Sequence, residues 1–179
     1  MRELVRRAVG LCAALAVGLP AMAAGVGPET KLPLPRYVSL NASKINVRRG
    51  PGLDYRIDWV YRRSGLPVRV VDEFGHWRRI ADSEGDEGWV YHALLSGRRT
   101  VVVVAEGAVL TRRPEGAAIT GPCDGAALPR GAVACAERGV VAALSACRTQ
   151  WCRVSAGGHD GWAPKSALWG VDATEVFGE

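Results

Sequence analysis

Several features are scarce or missing in this chain of 179 residues, and each shortage excludes a class of protein. Only two residues are Phe, and only three of the 23 basic residues are Lys. After the first 23 residues, no apolar run is long enough to cross a bilayer as a helix. The Gly-x-Ser-x-Gly and His-Glu-x-x-His motifs of hydrolases and metalloproteases do not occur. The sequence therefore predicts neither an integral membrane protein nor a member of those enzyme classes.

The first 23 residues have the pattern of a secretory signal peptide. A short basic segment (1–7) precedes an apolar run (8–19), Pro20 and the small-x-small sequence at 21–23. The alternative is a buried N-terminal helix. Removing residues 1–23 leaves a net charge of +3, whereas nucleic-acid binding usually needs a concentrated basic face. We predict a periplasmic or secreted protein with no stable membrane span after cleavage and no nucleic-acid partner.

Four cysteines remain in the mature chain, all in its C-terminal half. An even number in an exported chain favours disulfides, for which three pairings exist. Cys147 and Cys152 bracket four residues; if these form a hairpin loop, the two side chains face each other and Cys123 is left to pair with Cys135. A four-thiolate zinc site is the alternative, but it would lack any Cys-x-x-Cys pair. We predict two disulfides, no metal and no cofactor.

The chain from residue 37 onward contains two segments of the same plan. Trp77 and Trp151 each begin an alternating strand pattern, and Trp89 and Trp162 each follow a glycine. The first pair is offset by 74 residues and the second by 73. Frequent turns separate short alternating runs, and the mature chain shows no convincing long amphipathic helix. This repeat predicts an all-β fold made of two small domains.

Two further stretches of the repeats are interpreted as follows. The alignment pairs residues 65–68 with residues 129–133, since both contain Pro and Gly ahead of Val. Residues 134–146 are rich in Ala and would pass for a helix, but Gly139 and the following Val pair favour a strand.

Three runs in the first segment carry a family resemblance: NVRRGPG at 46–52, WRRI at 77–80 and GWV at 88–90. They resemble the bacterial SH3 (SH3b) domain. The second segment is similar to a diverged copy, which keeps WCRV at 151–154 and GW at 161–162 but lacks the Gly-Pro-Gly. The whole chain resembles exported tandem SH3-like proteins of Gram-negative bacteria. The resemblance implies five- or six-stranded, partly open barrels and a non-catalytic role at the cell envelope, binding peptidoglycan or peptides.

The predicted organisation has five parts. They are a signal peptide (1–23), a Gly/Pro-rich linker (24–36), a first SH3b-like domain (37–99), a disulfide-braced second SH3b-like domain (100–170) and an acidic tail (171–179).

The first domain holds eight aromatic residues, more than a barrel of about 60 residues can bury. Some of these rings should line a groove that suits sugar faces or an extended peptide. The predicted ligand-binding residues are Tyr55, Trp59, Trp77, Trp89 and Tyr91, with Trp89 at the floor. The alternative for Trp77 and Trp89 is a place in the core.

No catalytic residues are predicted. The even cysteine count leaves no free thiol for a Cys–His peptidase, and the three histidines are interpreted as loop or surface residues. The acidic run at 82–87 is interpreted as a solvated loop, with contact to basic groups of a ligand as the alternative. We predict a non-catalytic binding module for cell-wall glycan or peptide; the alternative is a scaffold that binds another envelope protein.

Overall fold

The fold consists almost entirely of short strands. The computed structural model describes residues 25–125 and 128–178, so the predicted signal peptide lies outside the described residues. Over the described ranges the helical elements are two single-turn 3-10 helices, η1 (His92–Leu94) and η2 (Lys165–Ala167). No helix in this part of the chain has the length and hydrophobicity needed to span a membrane. The prediction of an all-β fold is confirmed.

The strands form an N-terminal hairpin and two larger groups. The hairpin consists of β1 (Gly25–Val26) and β2 (Pro33–Leu34). The first group comprises β3 (Arg36–Leu40), β4 (Ile45–Arg48), β5 (Ile57–Tyr61), β6 (Pro67–Phe74), β7 (Trp77–Ala81), β8 (Glu87–Tyr91) and β9 (Leu95–Ser96). The second group comprises β10 (Thr100–Val103), β11 (Gly107–Thr111), β12 (Ala132–Glu137), β13 (Val141–Cys147), β14 (Trp151–Ala156), β15 (His159–Pro164) and β16 (Leu168–Trp169).

Each group forms one seven-stranded antiparallel sheet, and the two sheets have the same topology. The strand order is β5-β4-β8-β7-β6-β3-β9 in the first and β12-β11-β15-β14-β13-β10-β16 in the second. Every strand of the first sheet therefore has a counterpart at the same place in the second. The twofold pattern in the sequence corresponds to two structural repeats.

The structure corrects one part of the sequence alignment between the repeats. The counterpart of β6 is β13, so residues 65–68 correspond to residues 139–142 and not to 129–133. Gly65 and Gly139 both adopt positive φ, at 76° and 80°, directly before these strands. The offset here is 74 residues, the same as for the tryptophans that begin β7 and β14. The second repeat has a longer connection between β11 and β12, and the Pro129 region lies within it.

Each sheet encloses its own apolar core, made by residues that alternate along the strands. Alternate side chains of a strand point to the same face, so Ile45 with Val47 on β4 and Val68 with Val70 on β6 are all buried. Full burial of such a side chain contributes about 1.5–3 kcal/mol. The second core is built likewise around Val101, Leu110, Leu144 and Val154.

A β-bulge in β6 turns a carboxylate into the interior. The register with β7 shifts between Val70 and Asp72, so Glu73 lies opposite Arg78 and Phe74 opposite Trp77. Because the extra residue reverses the inward and outward positions beyond it, Glu73 is 4% exposed whereas Phe74 is 63% exposed. Glu73 Oε1 lies 3.5 Å from Arg78 Nε and accepts a hydrogen bond of 2.8 Å from Arg36 Nη2.

The second repeat has a bulge at the corresponding place in β13, with a different pair of residues beyond it. The register with β14 shifts between Leu144 and Ala146, and Cys147 then lies opposite Cys152. These cysteines form a disulfide with a Cα–Cα distance of 4.1 Å. The position that holds a buried Glu–Arg pair in the first repeat therefore holds a covalent bond in the second.

The predicted Gly/Pro-rich linker (24–36) is not a free connector, because its described residues fold onto the first sheet. The Glu73 carboxylate accepts hydrogen bonds from the backbone of Glu29 at 3.0 Å and from the backbone and hydroxyl of Thr30 at 2.8 and 2.6 Å. Leu34 joins the first core. The Gly and Pro content reflects the turn between β1 and β2, and the buried carboxylate supplies an anchor that composition does not reveal.

The acidic tail (171–179), which the sequence predicts to trail away from the second domain, is docked over its described length. Phe177 exchanges backbone hydrogen bonds of 2.8 and 3.0 Å with Cys147. The buried Lys165 donates from Nζ to the carbonyl oxygen of Glu175 at 2.7 Å. Acidic composition favoured solvation, but these backbone contacts hold the tail against the second sheet.

Arg99 joins the tail to both repeats. Its guanidinium donates to the Glu175 carboxylate at 2.6 and 3.1 Å and lies over the rings of Tyr37 and Phe177 at 5.8 and 5.5 Å. The ring of Tyr37 in turn meets the Trp169 ring edge-on, with centroids 5.2 Å apart. Burial, assisted by nearby Asp172, raises the pKa of Tyr37, so the phenol stays neutral at this junction.

Two hydrogen bonds also connect the repeats directly. Thr100 Oγ1 donates to the carbonyl oxygen of Gly65 at 2.7 Å, and Arg63 Nη1 donates to that of Gly139 at 2.9 Å. The two acceptors are the corresponding glycines of the two repeats. The repeats therefore contact each other through equivalent turns.

Both predicted disulfides are present: Cys147–Cys152, and Cys123–Cys135 with a Cα–Cα distance of 5.7 Å.

We expect the chain from residue 24 onward to contain no free thiol. A colorimetric thiol titration of the denatured, unreduced protein should give zero, and prior reduction should give four. Free thiols before reduction would contradict the pairing.

Candidate functional site

Three of the five predicted ligand-binding residues lie on one outward face of the first sheet. Trp77 on β7 is opposite Tyr91 on β8, and their rings meet edge-on with centroids 5.8 Å apart. Trp89 lies two residues before Tyr91 on the same face and is opposite Arg79 on β7 and Arg48 on β4. Trp77 and Trp89 are half-buried and Tyr91 is exposed, so neither tryptophan belongs to the core.

A cleft of about 380 Å³ opens beside two of these rings, and we call it the aromatic cleft. It is lined by the residue before β4 and by residues of β4, the following loop, β7, β8 and η1: Lys44, Asn46, Arg48, Leu53, Trp77, Tyr91 and Leu94. Trp89 is next to the cleft and does not line it. The prediction that Trp89 forms the floor of the groove is therefore corrected: Trp89 lies on the surface next to the cleft.

Arg48 fixes the loop that forms one wall of the aromatic cleft. Its Nη1 donates to the carbonyl oxygens of Leu53 at 2.9 Å and Tyr55 at 2.6 Å. Two backbone acceptors on one guanidinium nitrogen hold the loop against β4. Leu53 is placed in the cleft wall as a result.

Tyr55 shapes this loop and does not line the aromatic cleft. Its ring lies over Gly50, where an added Cβ would overlap the ring atoms, and near Gly52. Tyr55 is 49% exposed. The Gly-Pro-Gly run is thus explained by the ring that covers it as well as by the turn.

The structure separates Trp59 from the other predicted rings. The register between β4 and β5 shifts so that Val47 is opposite Trp59 while Arg48 is opposite Ile57. Asp58 is the extra residue, and this bulge turns Trp59 to the same side as the buried Val47. Trp59 packs against the first core, and its Cη2 would lie 3.1 Å from a Cβ at Gly88. Grouping Trp59 with the groove is corrected accordingly.

Two histidines that the sequence assigned to loops or the surface extend the ring cluster. The His76 ring lies 5.8 Å from the Tyr91 ring and stacks on the His92 ring at 5.4 Å. The His92 ring is 4.8 Å from Tyr91. Both histidines are exposed. Their place in the cluster could have been predicted from the sequence, because each histidine directly adjoins a ring residue of the cleft.

The acidic loop at 82–87 is organised by one of its own carboxylates. Asp82 Oδ1 accepts backbone hydrogen bonds from Glu84 at 3.0 Å and Asp86 at 3.1 Å, and Oδ2 accepts from the Tyr61 hydroxyl at 2.7 Å. Burial and this hydrogen bond raise the pKa of Tyr61. Asp82 therefore serves the fold of the loop, which makes contact with a basic ligand a weaker interpretation.

The second repeat does not reproduce the aromatic cleft. The counterpart of Trp77 is Trp151, which is only 5% exposed, and the counterpart of Tyr91 is Pro164. Trp162 corresponds to Trp89, but the Arg148 guanidinium lies over its ring at 5.4 Å.

Among the described residues, no group of three or more His, Cys, Asp or Glu is arranged to hold a metal ion.

Comparison with known families accounts for the shared topology. The family model described as bacterial SH3 domain matches residues 41–97 and 121–170, which together exceed half of the chain. The chain belongs to the bacterial SH3 domain family. The two matched segments fall in the two sheets, so the molecule contains two tandem SH3-like domains. Domains of this family are generally binding modules.

A solved structure described as NlpC2 from Trichomonas vaginalis matches with a TM-score of 0.32 and 11% identity. The match covers 75% of this chain and 48% of that one, so the present chain spans about half the length of its neighbour. No curated protein matches.

Proposed function

We propose that this protein is a non-catalytic binding module whose first SH3 domain holds cell-wall peptidoglycan, as glycan or peptide, in the aromatic cleft. The observation that carries the proposal is the pair of outward rings, Trp77 and Tyr91, on the walls of an open cleft. Exposed rings beside a groove offer flat apolar surface to sugar faces or to an extended peptide. The second SH3 domain lacks this surface and acts as a disulfide-braced partner.

The lining of the aromatic cleft supports binding over catalysis. It contains no Ser or Thr hydroxyl, no thiol and no carboxylate that would serve as nucleophile or general base. The four cysteines from residue 24 onward are all in disulfides.

The two disulfides are consistent with an oxidising, extracytoplasmic compartment. We propose the periplasm or the cell exterior as the location, where cell-wall polymer is within reach.

Replacing Tyr91 with Ala should weaken binding to purified peptidoglycan sacculi about tenfold, because one wall of the cleft is lost. A tenfold loss corresponds to about 1.4 kcal/mol of binding free energy. Co-sedimentation with sacculi over a range of concentrations measures the effect. The matched control is Ile119→Ala in the second domain, since Ile119 and Tyr91 are both 39% exposed. Thermal unfolding of both variants should match the wild type.

Two results would overturn this proposal. Unchanged sedimentation of Tyr91→Ala would remove the aromatic cleft as the binding site. A wild-type protein that stays in the supernatant at low and moderate salt would remove cell-wall polymer as the ligand. The alternative, a scaffold that binds another envelope protein, would then take its place.

A further inference from the structure

We infer that the ligand of the aromatic cleft carries a free carboxylate, which Lys44 and Arg48 hold beside the rings. This inference rests on the proposed function and specifies which chemical groups of the cell wall are recognised. Of the residues lining the cleft, these two are charged, both are basic, and none is acidic.

Lys44 is available to a ligand. It lies directly before β4, its side chain is exposed, and it lines the cleft. Within residues 25–125 and 128–178 it has neither an ion pair nor a hydrogen-bond acceptor for its ammonium group. Its ammonium group therefore brings a positive charge to the lining of the cleft.

Arg48 is already oriented but not neutralised. The two carbonyl oxygens that it contacts both bind Nη1, so Nε and Nη2 have no acceptor in the described part of the chain. Its guanidinium therefore keeps N–H donors that match the two oxygens of a carboxylate. Because the loop contacts fix the side chain, little conformational freedom remains to be lost on binding.

Unlike Lys44 and Arg48, several arginines of the first sheet are paired with carboxylates. Arg79 lies 2.6 Å from Glu87, Arg56 lies 2.8 Å from Asp58, and Arg36 lies 2.8 Å from Glu73. The acidic residue next to the cleft in sequence is Asp54, which follows Leu53 and is exposed without lining the cleft. The positive charge of the cleft is therefore left for a ligand to balance.

Peptide parts of cell-wall polymer combine the chemistry that this site would recognise. Free carboxylates would bind the two cations, and the adjoining sugar or aliphatic groups would cover the rings of Trp77 and Tyr91. A neutral sugar face alone would leave both cations unused.

Sacculi whose carboxylates have been amidated should test this inference directly. Both preparations are first stripped of phosphate-bearing polymer, so that carboxylates are the anions compared. We expect the wild-type protein to bind native sacculi at least tenfold more tightly than amidated sacculi, and the difference to shrink as salt screens the charges. Equal binding to both would overturn the carboxylate inference and leave the proposed function standing. Binding to neither would overturn both.

Lys44→Gln tests the site itself. The variant should lose about tenfold in affinity for native sacculi, the factor expected for one charge-assisted hydrogen bond, and should lose nothing on amidated sacculi. Arg62→Gln is the matched control, because Arg62 is an exposed basic residue of the same domain outside the cleft. An equal loss in both variants would show that net charge and not the cleft attracts the ligand, which overturns the inference.

Discussion

Replacing Glu73 with Gln is expected to lower the free energy of unfolding by about 3 kcal/mol, since removing one member of a buried ion pair leaves the other charge uncompensated. The carboxylate has no exposed side-chain surface and holds Arg36, Arg78 and the backbone of Thr30 together. For a chain of this size, that loss corresponds to a melting temperature lower by roughly 6–12 °C. Thermal unfolding followed by circular dichroism measures it.

The pH dependence of stability provides a second measurement of the same group. Burial alone would raise the pKa of Glu73, but hydrogen bonds from Thr30, Arg36 and Glu29 outweigh it and lower the pKa from 4.5 to about 2. A carboxylate with a depressed pKa stabilises the folded state above its unfolded pKa. This contribution, about 3 kcal/mol, is lost as the pH falls from about 4.5 towards 2. The Glu73→Gln variant should lose this part of the pH dependence.

Glu87→Gln is the matched control for Glu73→Gln. Glu87 forms a partly exposed pair with Arg79 at 2.6 Å. Exposed pairs contribute about 0–1 kcal/mol, so the control should unfold close to the wild-type temperature. Equal effects of the two substitutions would contradict the buried role of Glu73.

Replacing Gly170 with Ala is expected to lower the free energy of unfolding by about 3 kcal/mol, because the added methyl group would overlap Thr100 of the same domain and Pro67 of the first domain. Gly170 follows β16 and has a φ of 115°, which L-residues rarely adopt. An added Cβ would lie 2.6 Å from the carbonyl oxygen of Thr100 and 3.1 Å from Cβ of Pro67. Because one of these atoms is backbone and the other a ring carbon, neither can move aside cheaply. Equilibrium denaturation by urea measures the loss.

Gly116→Ala separates backbone strain from overlap. Gly116 also has positive φ, at 89°, but an added Cβ would meet nothing within 4 Å. Its substitution should cost about 1 kcal/mol from conformation alone. If Gly170→Ala costs no more than this control, the close approach of Gly170 to Thr100 and Pro67 does not constrain the fold.

Strand content and the repeat could be predicted from the sequence because their signals are local. Val68 and Val70 alternate with Arg69, and Gly88 and Gly161 each precede a tryptophan in the same strand. The disulfides followed from the spacing of Cys147 and Cys152 across one hairpin.

The side of the sheet on which a residue lies was harder to predict wherever a bulge intervened. Strict alternation gives Trp59 and Ile57 the same face, yet the extra residue Asp58 puts them on opposite faces. The same effect buries Glu73 and exposes Phe74. A bulge depends on the pairing with a neighbouring strand, which the local pattern of apolar and polar residues does not contain.

The docking of residues 25–34 and 171–178 could not be predicted from the sequence pattern either. The Gly and Pro residues before residue 36 and the acidic residues after residue 170 are typical of solvated segments. Their anchors include side chains of other elements, Glu73 for the first segment and Lys165 and Arg99 for the second. The ring cluster was predicted in part, because Trp77 and Tyr91 are close in space through an ordinary strand pairing.

The residues beyond the two bulges, Glu73 in the first repeat and Cys147 in the second, make the two repeats sensitive to different solution conditions. Protonation of Glu73 at low pH is expected to weaken its hold on Glu29 and Thr30, whereas a thiol reductant is expected to open the Cys147–Cys152 bond beside Phe177. The corresponding position is thus held by an acid-sensitive ion pair in one repeat and by a reducible bond in the other. At this position the first repeat is therefore expected to be the more sensitive to acid, and the second the more sensitive to reduction.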